Sequence, residues 1–287
     1  MRRYTKDEIM KRILFTIFSV LLIISGAVFY RWYIQKDVYN TKKMEDDLKS
    51  KVITDAYSAS DDKEKVNEEP PKDSEGNDID PNLVRDIDFD YLMNINSRAS
   101  RWLYIPNSSI DFTVIQEDTV HSTNYLDADI YGNYSDSGSA ITPAIPGGSS
   151  ANFIIYAHRM YYAAVDLGFT ALPRMYGDFD SAINNQYVYL YEEGRTTRYR
   201  VWSAVDIVND NPIYELPYDK GSEEYQGLIN TIPNYARFLT DLNVDKNDDI
   251  LVLSTCEGEI HSINRFAVVF VKDQVYDKTE NRILYNK

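Results

Sequence analysis

The single cysteine of the sequence, Cys256, is the residue best suited to covalent chemistry. It follows an apolar run over residues 250–255 that predicts a buried strand. A thiolate attacks carbonyl carbons, and the pKa of a free cysteine is about 8.5. Arg265 begins a second such run, over residues 265–272. If residues 257–264 close a hairpin, Cys256 and Arg265 become neighbours on one face, where the guanidinium favours the thiolate and can bind an oxyanion.

A general acid or base must complete this chemistry, and the sequence offers three histidines. His158 directly follows a predicted strand over residues 152–157, and a strand end is a rigid mount. His261 lies in the loop between Cys256 and Arg265 and competes with it, and spacing favours His158 only slightly. His121 lies in a polar loop, where we expect a solvated side chain. The alternative to all of this is an inert, buried cysteine beside a surface arginine.

Short strands predominate in the part of the chain that carries these residues. Apolar runs bounded by Gly, Pro, Asn and Asp predict strands over residues 101–105, 112–116, 152–157, 186–191, 197–207, 250–255 and 265–272. Helices are predicted over 89–95 after an Asp88 cap, near 168–175, and from Ser222 to Ile232. Many short strands with few helices indicate a barrel or a sandwich of about 190 residues.

The amino terminus has the composition of a membrane anchor. Residues 13–30 are apolar and uncharged, Trp32 and Tyr33 follow, and five basic residues precede the run. This pattern predicts a cytoplasmic tail over residues 1–12 and a span of the lipid bilayer over residues 13–33, with the remaining chain outside the cell. The alternative is a cleaved signal peptide ending near Ser25-Gly26-Ala27.

Charge and composition exclude several other classes of protein. The net charge is −15, and residues 1–36 carry a net positive charge while the rest of the chain is strongly acidic, so that this acidic body should repel nucleic acid. Residues 34–85 are polar and acidic, which predicts a flexible stalk before a folded domain over residues 86–287. One cysteine excludes an intramolecular disulfide and four-cysteine zinc sites. No metal cluster or glycine-rich phosphate loop is evident, and we expect no cofactor.

Three motifs in consistent order resemble those of the sortase family. Val252-Leu253-Ser254-Thr255-Cys256 is similar to the family's Thr-Leu-x-Thr-Cys motif, and Arg265 follows at the start of the next strand. Tyr156-Ala157-His158-Arg159-Met160 resembles its Tyr-Gly-His-Asn-Met motif. Residues 102–106 and 110–116 resemble the family's entry strands, and the likeness covers roughly residues 86–275.

The resemblance implies a mainly β fold, a closed sortase-like β-barrel with a few peripheral helices, and class B is the most similar class. It implies Cys256, His158 and Arg265 as catalytic residues, with Ser254 and Thr255 beside the substrate. The implied reaction is cleavage of a carboxyl-terminal sorting signal, after a threonine in a five-residue motif. A thioester acyl-enzyme then transfers the surface protein to a peptidoglycan amine.

Some positions depart from the family's pattern. Val252 replaces a threonine, and both are β-branched. Ala157 and Arg159 replace a glycine and an asparagine beside the histidine, and the usual Gly-x-Phe-Leu-Asp stretch is represented by residues 138–142. Two other functions fit the composition: a cysteine peptidase on the same scaffold, and a non-catalytic, tyrosine-rich surface adhesin.

Overall fold

The computed structural model describes residues 5–53, 69–161, 163, 165–257 and 262–287. The chain begins with one long helix, α1 (Lys6–Val52), which starts at a capping box formed by Thr5 and Glu8. The apolar stretch predicted to span the membrane lies within α1, and its most apolar 18-residue window has a mean hydropathy of 2.4 and no buried residues. By length and composition, α1 is a membrane-spanning candidate.

After α1, the described residues form four further α-helices and ten strands. In chain order these are α2 (Phe89–Ile95), β1 (Arg101–Tyr104), β2 (Asp111–Gln116), β3 (Ala140–Thr142), β4 (Asn152–Tyr156), α3 (Leu172–Met175), α4 (Phe179–Asn184), β5 (Tyr187–Glu192), β6 (Arg195–Val208), α5 (Glu223–Thr231), β7 (Ala236–Leu239), β8 (Ile250–Cys256), β9 (Asn264–Asp277) and β10 (Arg282–Asn286).

Eight of the strands that the structure describes close into a barrel. Around the barrel the order is β9, β8, β4, β3, β2, β1, β5 and β6, and pairing of β6 with β9 closes the ring. The pairs β2–β3 and β4–β8 are parallel. β6 and β9 are the longest strands, and two register shifts between them allow the bending that closure needs. The expectation of a mainly β, closed barrel with a few helices is confirmed.

Strand β8 illustrates how the barrel is packed on both faces. Leu251 and Leu253 belong to a buried cluster that takes residues from all eight barrel strands and so fills the interior. Ile250 and Val252 point outward, into a second cluster beneath α5. Because both faces are covered, residues 250–253 of the strand are consecutively apolar, without alternation. Each of these buried side chains contributes about 1.5–3 kcal/mol to folding.

A third buried cluster, on the outside of the barrel, attaches α1 to the strands. Leu48 and Val52 of α1 pack there with residues of α2, β1 and β5. At its edge the buried Asp111 carboxylate accepts two hydrogen bonds from Arg85, at 2.8 and 2.9 Å, and pairs with Lys49 of α1. A buried carboxylate is stable only with such partners, and this contact links α1 to β2 of the barrel.

The two described ends of the predicted flexible stalk, residues 34–85, are ordered. Residues 34–52 continue α1, and residues 69–85 lie on the barrel with Ile79 and Leu83 buried. The stalk was predicted from the average composition of the segment, which does not register these few apolar residues. They are enough to attach each described end to the barrel. The centre of the predicted stalk, 54–68, lies outside the described residues.

Strands β3, β7 and β10 and helix α4 were not predicted. These elements have three to six residues, too few for a periodic pattern to emerge. β3 exists because β2 and β4 pair with it on either side. The helix predicted near 168–175 is shorter, Leu172–Met175, since Gly168 has φ +51° and cannot belong to it.

Candidate active site

Strands β4 and β8 end, and β9 begins, at one rim of the barrel, where the three predicted catalytic residues come together. Tyr156 on β4 pairs with Ser254 on β8, and Cys256 pairs with Arg265 on β9. Side chains two residues apart along a strand share a face, and His158 follows Tyr156 by two. His158, Cys256 and Arg265 therefore share the outer face of the sheet, where all three line one groove.

The half-buried thiol of Cys256 is set between an imidazole and a guanidinium. A hydrogen bond with His158 is the strongest influence and lowers the pKa of the thiol, and the charge of Arg265 lowers it further. Partial burial opposes both, because it destabilises the thiolate. The pKa of Cys256 lies below its ordinary value, which increases the fraction of reactive thiolate at neutral pH.

His158 is shifted in the complementary direction. Its hydrogen bond with Cys256 is again the strongest influence and raises the pKa of the imidazole, burial lowers it, and Asp127 raises it. The net result is a pKa above the ordinary value of histidine. A lowered pKa for Cys256 and a raised one for His158 both favour a thiolate beside an imidazolium, the form in which a nucleophile and a general acid act together.

The backbone of His158 is fixed by a short segment that follows it. The His158 carbonyl accepts a hydrogen bond from the Phe169 amide at 2.9 Å. Gly168 makes this close approach possible, because a Cβ at its φ of +51° would lie 2.6 Å from the His158 oxygen. The Thr170 hydroxyl accepts from the Met160 amide at 2.9 Å. The backbone of His158 is thus constrained, although His158 lies beyond the end of β4.

Thr255 and Ser254, predicted beside the substrate, both line the groove but are almost fully buried. The Thr255 hydroxyl donates to the Ala157 carbonyl at 2.8 Å, which ties β8 to the residue preceding His158. The Ser254 hydroxyl bonds the Tyr214 hydroxyl at 2.8 Å. Both side chains therefore shape the groove wall, and contact of either with a substrate stays a prediction.

Arg265 is oriented by backbone carbonyls near its own position. Its Nη1 donates to the carbonyls of Ser262, at 2.6 Å, and Asn264, at 2.9 Å. A guanidinium has five N–H donors, so one that is anchored in this way can still donate to an oxyanion. The positive charge also acts on the phenols of Tyr156 and Tyr214 in the groove. Burial raises the pKa of Tyr214 to about 12, so this phenol is neutral at physiological pH.

The groove encloses about 530 Å³, and two chain segments contribute to its lining together with the strand ends. One segment precedes β3, and the other links β6 to α5. Besides the three predicted catalytic residues, the lining includes Val120, His121, Thr123, Leu126, Tyr156, Asp210, Asn211, Tyr214 and Glu215. Its volume lies in the range of small-ligand sites, and its mixed apolar and polar lining suits a short peptide segment.

Arg159 is one of the departures from the family's pattern. It follows His158 directly and connects that part of the chain to the residue that follows Cys256. Its guanidinium forms an ion pair with Glu257, which follows Cys256, and lies 4.4 Å from the centre of the Tyr161 ring. The Tyr161 hydroxyl donates to the Cys256 carbonyl at 3.1 Å. These contacts link the residues that flank His158 to those that flank Cys256, so Arg159 has a bridging position here.

The other two histidines differ in position. His121 is exposed and lines the groove on the segment before β3. His261 lies outside the described residues.

Two residues of the site were not anticipated from the sequence, Asp127 and Tyr214. They come from short 3-10 helices between strands, where no periodicity or spacing rule relates them to Cys256. The folded barrel places Tyr214 in the groove and Asp127 beside His158.

A family model described as Sortase domain matches residues 103–273, more than half of the chain. The chain belongs to the sortase family. The matched part of this sortase runs from within β1 to within β9 and contains the three residues at the rim. Sortases are cysteine transpeptidases, so the resemblance noted in the motifs is confirmed, and with it the class of enzyme. A search of curated proteins finds no match.

Several solved structures that are similar to this sortase are those of sortase B proteins. A Staphylococcus aureus sortase B–substrate complex has a TM-score of 0.57 at 22% identity, covering 64% of this chain and 84% of the other. Clostridium perfringens sortase B gives 0.56 at 24% identity, covering 64% and 98%. Bacillus anthracis sortase B in complex with AAEK1 gives 0.59 at 21%, covering 83% and 98%. The fold is thus most like class B, as the family resemblance implied.

Gly138 packs against the backbone of Leu126, a residue of the groove wall in the segment between β2 and β3. We expect Gly138→Ala to be markedly destabilising. Its φ is +56°, and a Cβ there would lie 1.7 Å from the Leu126 carbonyl oxygen. The strained backbone and the clash together should lower the free energy of unfolding by about 2–4 kcal/mol and displace Leu126 from the groove. Urea unfolding followed by circular dichroism measures the loss.

Gly132→Ala is the matched control. Gly132 belongs to the same segment and also has a positive φ, +81°, but no atom lies within 4 Å of the point that a Cβ would occupy. Only the backbone cost of about 1–2 kcal/mol is expected there. Equal losses in the two variants would show that the Leu126 contact does not constrain the segment.

Proposed function

We propose that this sortase is a membrane-anchored transpeptidase that cleaves a carboxyl-terminal sorting signal of surface proteins and transfers them to an amine of cell-wall peptidoglycan. The observation that carries the proposal is the meeting of Cys256, His158 and Arg265 in the lining of one groove of about 530 Å³. This arrangement combines a nucleophile, a proton donor and an oxyanion ligand beside space for a peptide.

The first half-reaction forms a thioester. The Cys256 thiolate attacks the carbonyl carbon of the scissile peptide bond, and the carbonyl electron pair moves onto oxygen. The guanidinium of Arg265 donates hydrogen bonds to this oxyanion. As the tetrahedral intermediate collapses, the C–N bond breaks and the His158 imidazolium gives its proton to the leaving amine. A thioester on Cys256, neutral His158 and a released carboxyl-terminal fragment result.

The second half-reaction forms the new amide. An amine of a peptidoglycan precursor attacks the thioester carbonyl, and neutral His158 accepts the proton that the amine loses. The C–S bond breaks, the Cys256 thiolate leaves, and the imidazolium is restored. One amide bond is broken and one is formed, so the cycle needs no external energy source and no redox step.

The membrane helix supports this assignment by its position relative to the barrel. The basic residues before the apolar stretch favour a cytoplasmic amino terminus, which leaves the barrel on the outer side of the membrane. Helix α1 continues without a break from that stretch to its contact with Asp111. The groove would then be held close to the bilayer, where membrane-bound sorting signals and lipid-linked wall precursors are both present.

The proposal is tested with the full-length protein in detergent micelles and a small library of pentapeptides built into longer fluorescent peptides. We expect one motif to be cleaved and joined to an added amine such as triglycine. Cleavage that yields only the free acid, unchanged by the amine, would support a cysteine peptidase instead. If no peptide is turned over and Cys256 resists a small alkylating reagent, the adhesin alternative is favoured.

Removing the charge of Arg265 should slow the reaction without unfolding the barrel. We expect Arg265→Gln to lower kcat/KM by about 10²–10³-fold, the usual effect of losing one strong oxyanion donor. Arg265→Lys keeps the charge but lacks the planar fork, so it should recover only part of the loss. Steady-state kinetics with the cleaved peptide measures both variants. An Arg265→Gln enzyme as active as the wild type would exclude the oxyanion role.

A further inference from the structure

The carboxylate of Asp127 faces the candidate general acid. Its Oδ1 lies 3.5 Å from Nε2 of His158, an ion-pair distance. Asp127 ends a short 3-10 helix, Asn124–Asp127, in the segment between β2 and β3. The reaction as proposed assigns it no part. Its side chain is 73% exposed, against 30% for His158, so that water weakens the interaction without abolishing it.

The backbone that carries Asp127 is held from several directions. Buried Glu117 accepts hydrogen bonds from the Ser122 hydroxyl and the Tyr125 amide, both at 2.7 Å. The Asp127 carbonyl accepts from the Ser135 amide at 3.0 Å. A buried carboxylate that accepts hydrogen bonds from two groups of the same loop strongly restricts the backbone of that loop. These hydrogen bonds therefore hold the Asp127 backbone in place, and with it the position of the Asp127 carboxylate opposite the His158 imidazole.

We propose that Asp127 is a positioning residue, which orients the His158 ring and stabilises its imidazolium form beside the Cys256 thiolate. Charged and titratable groups that act on His158 from the described elements are Cys256 on β8 and Asp127 before β3. The neighbouring Arg159 is paired with Glu257. A carboxylate against one ring nitrogen restricts rotation of the imidazole and favours its protonated state.

The effect of Asp127 on the thiol must pass through His158. The influences that shift the pKa of Cys256 are His158, burial and Arg265. Loss of the Asp127 charge lowers the pKa of the imidazole and so makes the imidazolium less available at neutral pH. The Cys256 thiolate is then stabilised less strongly by His158. At high pH the thiol is ionised whether or not Asp127 is charged, and the difference should vanish.

The test uses the rate at which iodoacetamide alkylates the full-length protein in detergent, as a function of pH. Cys256 is the only thiol in the chain, so the rate reports one residue. We expect Asp127→Asn to slow alkylation about two- to fivefold at neutral pH, the range of an exposed charge pair, with rates converging at high pH. Asp136→Asn, which removes a charge from the same segment, should match the wild type.

A double variant separates positioning from general structural damage. In a His158→Gln background, Asp127→Asn should change the alkylation rate no further, because its effect requires the imidazole. Equal slowing with and without His158, or a wild-type profile in Asp127→Asn, overturns the inference. Asn is isosteric and keeps the carbonyl contact with Ser135, so the fold should be retained.

Peptide transfer provides the second readout, and this part rests on the proposed function. Asp127→Asn should lower kcat with little change in KM, and the alkaline limb of the kcat profile should move to lower pH, since the imidazolium is lost earlier. If alkylation depends on Asp127 but no peptide is transferred, the proposed function fails and the inference stands. If transfer occurs and neither readout responds to Asp127→Asn, the inference alone fails.

Discussion

Cys256→Ala is expected to abolish peptide transfer, leaving a rate at least about 10⁴-fold below that of the wild type. The chain has a single thiol, so no other cysteine can form the thioester. The barrel should remain intact, because Cys256 is only half-buried and ends its strand. Chromatographic separation of the substrate from its amide product measures the residual rate.

Chemical modification is the matched control for this variant. Wild-type protein alkylated at Cys256 should lose transfer to the same extent, since the modified sulfur can no longer attack. Circular dichroism should be unchanged in both preparations. Substantial transfer in Cys256→Ala, or after complete alkylation, would exclude a covalent role for this residue.

His158→Gln should lower kcat by about 10³-fold, the second largest effect expected. Gln can fill the space of the imidazole but can neither donate a proton to the leaving amine nor accept one from the attacking amine. It also removes the strongest influence that lowers the pKa of Cys256. The alkylation rate of Cys256 at neutral pH should therefore fall together with kcat, which links the two measurements to one residue.

His121→Gln is the control, because His121 lines the same groove but is exposed. It should keep kcat near that of the wild type, and any change should be in KM. His261→Gln tests the alternative that spacing left open. Full activity in His158→Gln combined with loss of activity in His261→Gln would transfer the acid–base role to His261.

The sequence was most informative where residues are close along neighbouring strands. The pairing of Cys256 with Arg265 follows from two apolar runs and the loop between them, and the hairpin has that register. The fold class also followed from the sequence, since many short strands indicated a barrel or a sandwich and the family resemblance implied the closed barrel. Such predictions succeed because strand pairing and alternation are local rules.

Features that depend on distant segments were less accessible. Asp127 lies 31 positions before His158 and reaches it only because β3 is inserted between β2 and β4. The packing of Leu83 was hidden within an acidic segment, since average composition does not register a few well-placed apolar residues. Choosing between His158 and His261 required the family motif, because both positions are compatible with the spacing.

Trapping of the acyl-enzyme tests the central claim most directly. Full-length protein is mixed with a cleavable sorting-signal peptide without an amine, quenched in acid and analysed by mass spectrometry after digestion. We expect the amino-terminal part of the peptide to be attached to the fragment containing Cys256, to be released by hydroxylamine, and to disappear with formation of the amide when triglycine is added. Transfer that proceeds with no adduct on Cys256, or with an adduct on another residue, would contradict the proposed mechanism.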